Sequence, residues 1–290
     1  MKALQLALIL FVVIAAYFML LEPSALAQAL QTKSISTIMT ISSVSNMNIN
    51  GSSDIETIQN KTVNYFDNAS GYLVYPVMNK NPNNVTQKLP AVIMIHENRG
   101  LNDNIKATAN LLSKQGYVVL AVDLFQGEVT TDPNRARGLS SFVRNNSDIA
   151  IENMQSAVSY LSSLENVNAS RIASLGWCFG GGQSLQLALN SEGHPLAATM
   201  IYYGNLVNNT ETLSKIKWPV LGIFGDQDQS IPVNTVKQFG QALNEVGVIN
   251  EIYVYPGVGH AFANPSNDNY APKETADAWK KTLAFLDKYV

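Results

Sequence analysis

Residues 171–187 read Arg171-Ile172-Ala173-Ser174-Leu175-Gly176-Trp177-Cys178-Phe179-Gly180-Gly181-Gly182-Gln183-Ser184-Leu185-Gln186-Leu187. A short apolar run, Arg171–Leu175, passes through a glycine-rich turn into a stretch of helical character, Gln183–Asn190. The turn carries Cys178 in the pattern Gly-x-nucleophile-x-Gly. Where a strand reverses into a helix this tightly, the two elements cross at the flanking positions. Gly176 and Gly180 must therefore lack a Cβ. The same turn exposes the sulfur on a strained backbone and aims the N-terminus of the following helix at it. Amide N–H groups there stabilise negative charge on sulfur, and the Phe179 amide becomes one donor to an oxyanion. The competing reading is a buried, inert cysteine beside a glycine turn. It leaves the preceding strand, the following helix and four glycines in seven residues as coincidence.

On both sides of this turn, strand and helix alternate. Thr62–Phe66 and Gly71–Val77 read as an antiparallel pair turned around Asp67-Asn68-Ala69-Ser70. After a polar loop, Pro82 to Lys88, the run Ala91-Val92-Ile93-Met94-Ile95 is apolar throughout, the mark of a strand buried on both faces. A helix over Asn104–Gln115 stops at Gly116, and Tyr117–Val122 is a second buried strand. Asp148–Leu164 is helical, Ala197–Tyr202 and Val220–Phe224 are strands, Val233–Val246 a helix, Glu251–Tyr255 a strand and Lys273–Tyr289 a closing helix. This order predicts an α/β fold whose mostly parallel sheet is covered by helices on both faces. Short links and the lack of an internal repeat predict one domain over residues 56–290. Residues 124–147, charged and holding Gly and Pro, form the one long connection, a candidate lid.

An elbow of this type takes an acid and then a base from later in the chain. After the strand Val220–Phe224 comes Gly225-Asp226-Gln227-Asp228-Gln229-Ser230-Ile231-Pro232. After Glu251–Tyr255 comes Pro256-Gly257-Val258-Gly259-His260-Ala261-Phe262. Both acid and histidine thus follow strands, where loops gather over the sheet. His260 would take the thiol proton and return one to the leaving oxygen, and the acid would fix its tautomer. Asp228 is preferred for that acid, with Asp226 as the residue that caps the turn.

The bulk composition removes other classes. The chain has 290 residues, 46 % of them hydrophobic and 14 % charged, enough for a sizeable core. Its formal charge is −3, from 19 Lys+Arg and 22 Asp+Glu, and no local basic patch offers itself to nucleic acid. A single cysteine permits neither an intramolecular disulfide nor a Cys-rich zinc site. Three histidines leave little for a His-rich metal centre.

The N-terminus reads as an export signal over residues 1–27. Lys2 precedes an apolar run from Ala3 to Leu21, and Ala25-Leu26-Ala27 is a small-x-small cleavage triplet. Nineteen apolar residues are also about enough to cross a bilayer, so an uncleaved membrane anchor is the rival, and with it the only membrane contact expected. Residues 28–55 read as a flexible arm. Asn-x-Ser/Thr sequons at Asn50, Asn60, Asn68, Asn84, Asn145, Asn168 and Asn208 permit glycosylation in a suitable host.

Taken together, these motifs resemble the dienelactone hydrolase family, a cysteine-nucleophile branch of the α/β-hydrolases. The resemblance runs from about residue 57 to 290. It rests on His96-Glu97-Asn98-Arg99-Gly100-Leu101-Asn102, Asp123-Leu124-Phe125, Gly176–Gly182, Gly225–Pro232 and Gly259-His260-Ala261-Phe262. It implies that Glu97 lies beside the thiol at rest and accepts its proton when substrate binds, and that the Asn98 amide is the second oxyanion donor. His96 and His194 match no catalytic position and read as structural. Family members that cleave dienelactone bind its carboxylate with two arginines. Arg135 or Arg137 could supply the one from the lid region. The other falls four residues after the catalytic histidine, where this chain has Asn264, and a neutral amide does not replace a bidentate guanidinium. The machinery is therefore expected to be shared and the substrate to differ.

The resulting expectation is an exported hydrolase that opens a small-molecule ester or lactone through a Cys178 thioester, with no metal or organic cofactor. The rivals are an esterase or peptidase-like hydrolase on a larger surface polymer, and a catalytically silent hydrolase-fold protein that binds a ligand.

Overall fold

The computed structural model describes residues 55–78 and 88–290. Most of the elements expected from the sequence sit on one eight-stranded sheet. Its strands are β1 (Ile55–Phe66), β2 (Ala69–Met78), β3 (Leu89–Ile95), β4 (Val118–Val122), β5 (Val167–Trp177), β6 (Ala198–Tyr202), β7 (Val220–Gly225) and β8 (Asn250–Tyr255). They lie in the order β1-β2-β4-β3-β5-β6-β7-β8. Strands β1 and β2 form a hairpin and β2 runs antiparallel to β4, while every later pairing is parallel. The strand order reverses direction at β3, so the carboxyl ends of β3 and β5 open side by side. That is where an α/β sheet gathers its functional loops.

The helices are α1 (Asp103–Ser113), α2 (Pro133–Asn145), α3 (Ser147–Ser163), α4 (Phe179–Leu189), α5 (Thr210–Leu213), α6 (Val233–Glu245) and α7 (Pro272–Tyr289). Strand β3 shows why the sheet is sandwiched. Ala91, Ile93 and Ile95 face one core with Met154 and Ala157 of α3, Leu185 of α4 and Phe239 of α6. Val92 and Met94 face the other, with Ile105 and Leu112 of α1 and Leu283 and Phe285 of α7. Because side chains alternate across a strand, an unbroken apolar run is stable only with helices on both faces. Each such side chain contributes about 1.5–3 kcal/mol on burial.

Several boundaries depart from the sequence reading. Strand β1 opens at Ile55 rather than Thr62, and β5 at Val167 rather than Arg171. The lid stretch 124–147 is not all loop: Asp132 caps α2 by accepting from the Asn134 amide, and Pro133 occupies the first turn. Helix α4 begins at Phe179 rather than Gln183, because the glycines of the elbow are themselves helical. The short helix α5 was not anticipated; Asn209 caps it through the Thr212 amide. The leader over residues 1–27 and almost all of the arm 28–55 lie outside the described residues, and Ile55 already belongs to β1. No helix among the described residues is long and apolar enough to cross a membrane.

Candidate active site

Strand β5 delivers its chain into α4 through a single residue in the left-handed region, Cys178 at φ 54° and ψ −116°. A side chain with a Cβ is disfavoured there, so the surroundings must hold it. They do so from both sides. The Cys178 amide donates to the Tyr202 carbonyl at 2.9 Å, and its carbonyl accepts from the Gly182 amide at 3.2 Å. A Cβ on Gly176 would strike the Gly180 carbonyl, and one on Gly180 would strike the carbonyls of Ile95 and His96. Strand β5, helix α4 and the end of β3 therefore meet with no room for a methyl group. Cys178 is the N-cap of α4 yet makes no side-chain cap bond. The Phe179 amide heads the helix with no preceding turn to supply an acceptor.

The histidine and its acid arrive from the far end of the sheet. His260 follows β8, and its Nε2 lies 3.0 Å from the Cys178 Sγ. Its Nδ1 donates to Asp228 Oδ2 at 2.8 Å. The other oxygen of Asp228 accepts from the Ser230 and Ile231 amides at 2.7 and 3.0 Å, so this carboxylate is buried, satisfied and fixed in direction. Asp226 goes elsewhere: its Oδ1 accepts from the Gly257 amide and caps that turn. Burial alone would make the imidazole harder to charge. The hydrogen bonds to Asp228 and Cys178, and the charge those groups carry, outweigh it and push His260 up to about 10. A ring that holds its proton at neutral pH faces the sulfur.

Glu97, after β3, is buried near enough to His260 to feel its charge. Tyr203 donates to its Oε1 at 3.3 Å, and the Asn264 amide donates to its Oε2. Among the described residues no hydrogen bond joins Glu97 to the sulfur, whose partner is His260. The resting contact implied by the family resemblance is thus replaced by one to two neutral donors. Desolvation dominates this carboxyl and raises it to about 7, against the pull of His260, Tyr203, Asn264 and Arg99. The backbone beneath it is pinned by His96, which is fully buried. His96 Nε2 accepts from the Leu124 amide at 3.1 Å, which leaves Nδ1 to donate to the Glu97 carbonyl at 2.6 Å. Its ring also packs against Phe125 and Phe179. The neighbouring Asn98 sits in the turn that the Gly100 amide closes on the Glu97 carbonyl at 3.4 Å.

Arg135 and Arg137 are both engaged away from this centre. Arg135 forms a fork with both oxygens of Glu128, and Arg137 donates to Asn134. The lid arginine that does touch the elbow is Arg144, 5.8 Å from the centroid of the Phe179 ring. Two residues at the site escaped the sequence reading, Tyr203 as a whole and Asn264 in its contact with Glu97. Tyr203 closes the dipeptide Tyr202-Tyr203 at the end of a strand and stands at φ 36°. A bulky residue at a strand end followed by Gly204 was the only signal available.

Sheet order, elbow and the sulfur–imidazole–carboxylate line define an α/β-hydrolase. The model of the dienelactone hydrolase family matches residues 76–290, and the chain belongs to that family. It is a carboxylic ester hydrolase by class. A relative from Saccharolobus solfataricus described as a carboxymethylenebutenolidase is 29% identical over 230 residues, covering 68% of this chain and 88% of the relative. A Bradyrhizobium relative described as a 2-oxo-3-(5-oxofuran-2-ylidene)propanoate lactonase is 30% identical over 226 residues, 74% of this chain and 87% of its own. The crystal structure of a dienelactone hydrolase from Klebsiella pneumoniae superposes with a TM-score of 0.67 at 25% identity, covering 81% of this chain and all of that one.

The Glu97 shift has a consequence for stability. Between pH 4.5 and 7 the folded protein holds a proton on Glu97 that the unfolded chain has released. Stability from this group is fully present below pH 4.5 and is lost as pH rises through 7. The loss amounts to about 3 kcal/mol. Glu97→Gln cannot titrate, so its urea midpoint relative to wild type should climb steadily across that window. A difference that stays constant with pH would show that the buried carboxyl ionises normally.

Proposed function

We propose that this chain hydrolyses a small ester or lactone with Cys178 as nucleophile, His260 as proton carrier and Asp228 as the acid that orients it. The reading is carried by one observation. A single imidazole reaches the sulfur at 3.0 Å and a buried carboxylate at 2.8 Å, one through each ring nitrogen.

In the first half-reaction the sulfur attacks the acyl carbon, and the carbonyl oxygen gathers charge where the Phe179 and Asn98 amides can donate to it. The carbon–oxygen bond to the leaving group breaks, and that oxygen takes the proton from His260 Nε2. A thioester to Cys178 and a neutral imidazole remain. Water then gives its proton to Nε2 as it attacks the thioester. The carbon–sulfur bond breaks, the acid departs, and the sulfur–imidazolium pair is restored. Nothing in the cycle calls for a metal or an organic cofactor. Glu97 is the second acid of the site, and its approach to the thiol requires the contacts to Tyr203 and Asn264 to break. Arg135 or Arg137 meets a substrate carboxylate only after exchanging its present partner. The enzyme works outside the cytoplasm, delivered by residues 1–27 as a cleaved leader or a retained anchor, which the mass of the mature chain distinguishes.

The experiment is capture of the intermediate. Acid quenching during turnover of a slow phenyl ester should leave a chain heavier by the acyl group, with the added mass on the peptide that contains Cys178. Turnover with the acyl group on another side chain would overturn the assignment.

A further inference from the structure

The two residues that hold Glu97 belong to neither half-reaction, and their geometry is unusual. Tyr203 is fully buried and stands in the left-handed region, a conformation a tyrosine adopts only under constraint. Its amide donates to the Ile223 carbonyl at 2.8 Å, which fixes the backbone across β6 and β7. Its ring lies edge-on to His260 and Phe262, with centroids 5.2 and 5.6 Å away. The hydroxyl is thereby aimed at Glu97 Oε1. Asn264 reaches the other oxygen from the loop after β8, and its own Oδ1 accepts from the Ser266 amide at 2.8 Å, so its amide plane is set too.

We infer that Tyr203 and Asn264 are positioning residues for Glu97, a pair of neutral donors, one on each oxygen, that hold the buried acid beside His260 and off the sulfur. Where the resembled family places an arginine for the substrate carboxylate, this chain has Asn264, an amide not expected to take that part. The structure commits its donor to the protein's own carboxylate instead. The choice of neutral donors matters electrically. The groups facing Glu97 are the Tyr203 hydroxyl from just after β6, His260 and Asn264 from the loop after β8, and Arg99 from its own loop. A guanidinium at position 264 would add a full charge to that set, whereas an amide and a phenol stabilise the carboxylate only by hydrogen bonding. The acid is thus left able to gain or lose its proton near neutrality. The inference draws on the proposed hydrolysis only in giving Glu97 a use in turnover.

The test is a carbon-13 titration of the Glu97 carboxyl in the whole protein, with the signal assigned by its loss in Glu97→Gln. Tyr203→Phe removes one hydroxyl and keeps the ring. Asn264→Ala removes the other donor from a half-buried position. Each donor favours the charged form, so each change should move the midpoint upward by about one pH unit. Asn264→Gln, which keeps a donor, should bring it back toward wild type. In turnover the same variants should shift the pH profile of kcat and leave KM in place. Midpoints that stay put in both variants, with unchanged urea midpoints, overturn the inference. A raised KM with an unmoved titration in Asn264→Ala assigns that amide to the substrate and overturns it for Asn264. If the wild-type protein hydrolyses no ester, the functional reading fails alone, since the titration still decides whether the clamp exists.

Discussion

Cys178→Ala should lower hydrolysis of a small activated ester by at least about a thousandfold in kcat/KM while leaving the free energy of unfolding in urea within about 0.5 kcal/mol of wild type. The first half of the expectation follows from the chemistry: with the sulfur gone, no covalent intermediate can form. Donors at the Phe179 and Asn98 amides would still favour direct attack by water, and the residue of activity should reflect that alone. The second half follows from geometry. Alanine keeps the Cβ that already stands at φ 54°, so the backbone strain of the turn is unchanged. The sulfur is only partly buried, so its removal opens no closed cavity. Iodoacetamide gives an independent measure. It should label the folded wild-type protein at this thiol and nowhere in the variant, since Cys178 is the sole cysteine. Unchanged turnover would remove the nucleophile from the mechanism, and labelling only after denaturation would mark the thiol as inert.

Much of the architecture was legible because it is written in period and punctuation. Strand β3 reads as buried on both faces from five apolar residues in a row, and the two cores on either side of it show why. The elbow is equally readable, because its steric demand falls on specific positions: only glycine fits at 176 and 180. The acid and histidine follow from chain order after two strands, which the sheet carries to one edge. What the sequence did not disclose depends on contacts between distant loops. Asn264 is an ordinary polar residue until the loop after β8 folds over β3 and sets it on Glu97. Tyr203 looks like one more aromatic at a strand end, and its role comes from a backbone angle that no local pattern announces. Helix α2 was hidden by its charge and by Pro133, both of which read as loop signals although the proline merely opens the helix. The start of α4 was misplaced for a related reason. Glycine is a poor helix former by propensity, yet here packing selects it.

That last conflict can be measured within one helix. By propensity alone, Gly180→Ala and Gly182→Ala should each stabilise α4 by about 1 kcal/mol, since both sit in its first turn. The surroundings separate them. At Gly182 a new Cβ would meet the Asn205 amide at 3.4 Å and the Asn205 Cβ at 3.5 Å, ordinary contacts. At Gly180 it would run into the backbone carbonyls of Ile95 and His96, which cannot rotate away as a side chain would. Both carbonyls belong to the β3 end that carries Glu97 and Asn98, so relief requires β3 and α4 to part. We expect Gly182→Ala to be neutral or slightly stabilising in urea unfolding. Gly180→Ala should cost about 4 kcal/mol or more, in the range reserved for clashes without an outlet. Where Gly180→Ala still folds, its activity should fall much further than its stability, because displacing β3 would move the Asn98 amide from the oxyanion position proposed for it while Cys178 stays with α4. Equal, small effects at the two positions would mean that the glycines of this turn answer to local helix propensity and not to the crossing of strand and helix, and the geometric basis for an exposed sulfur would be lost with it.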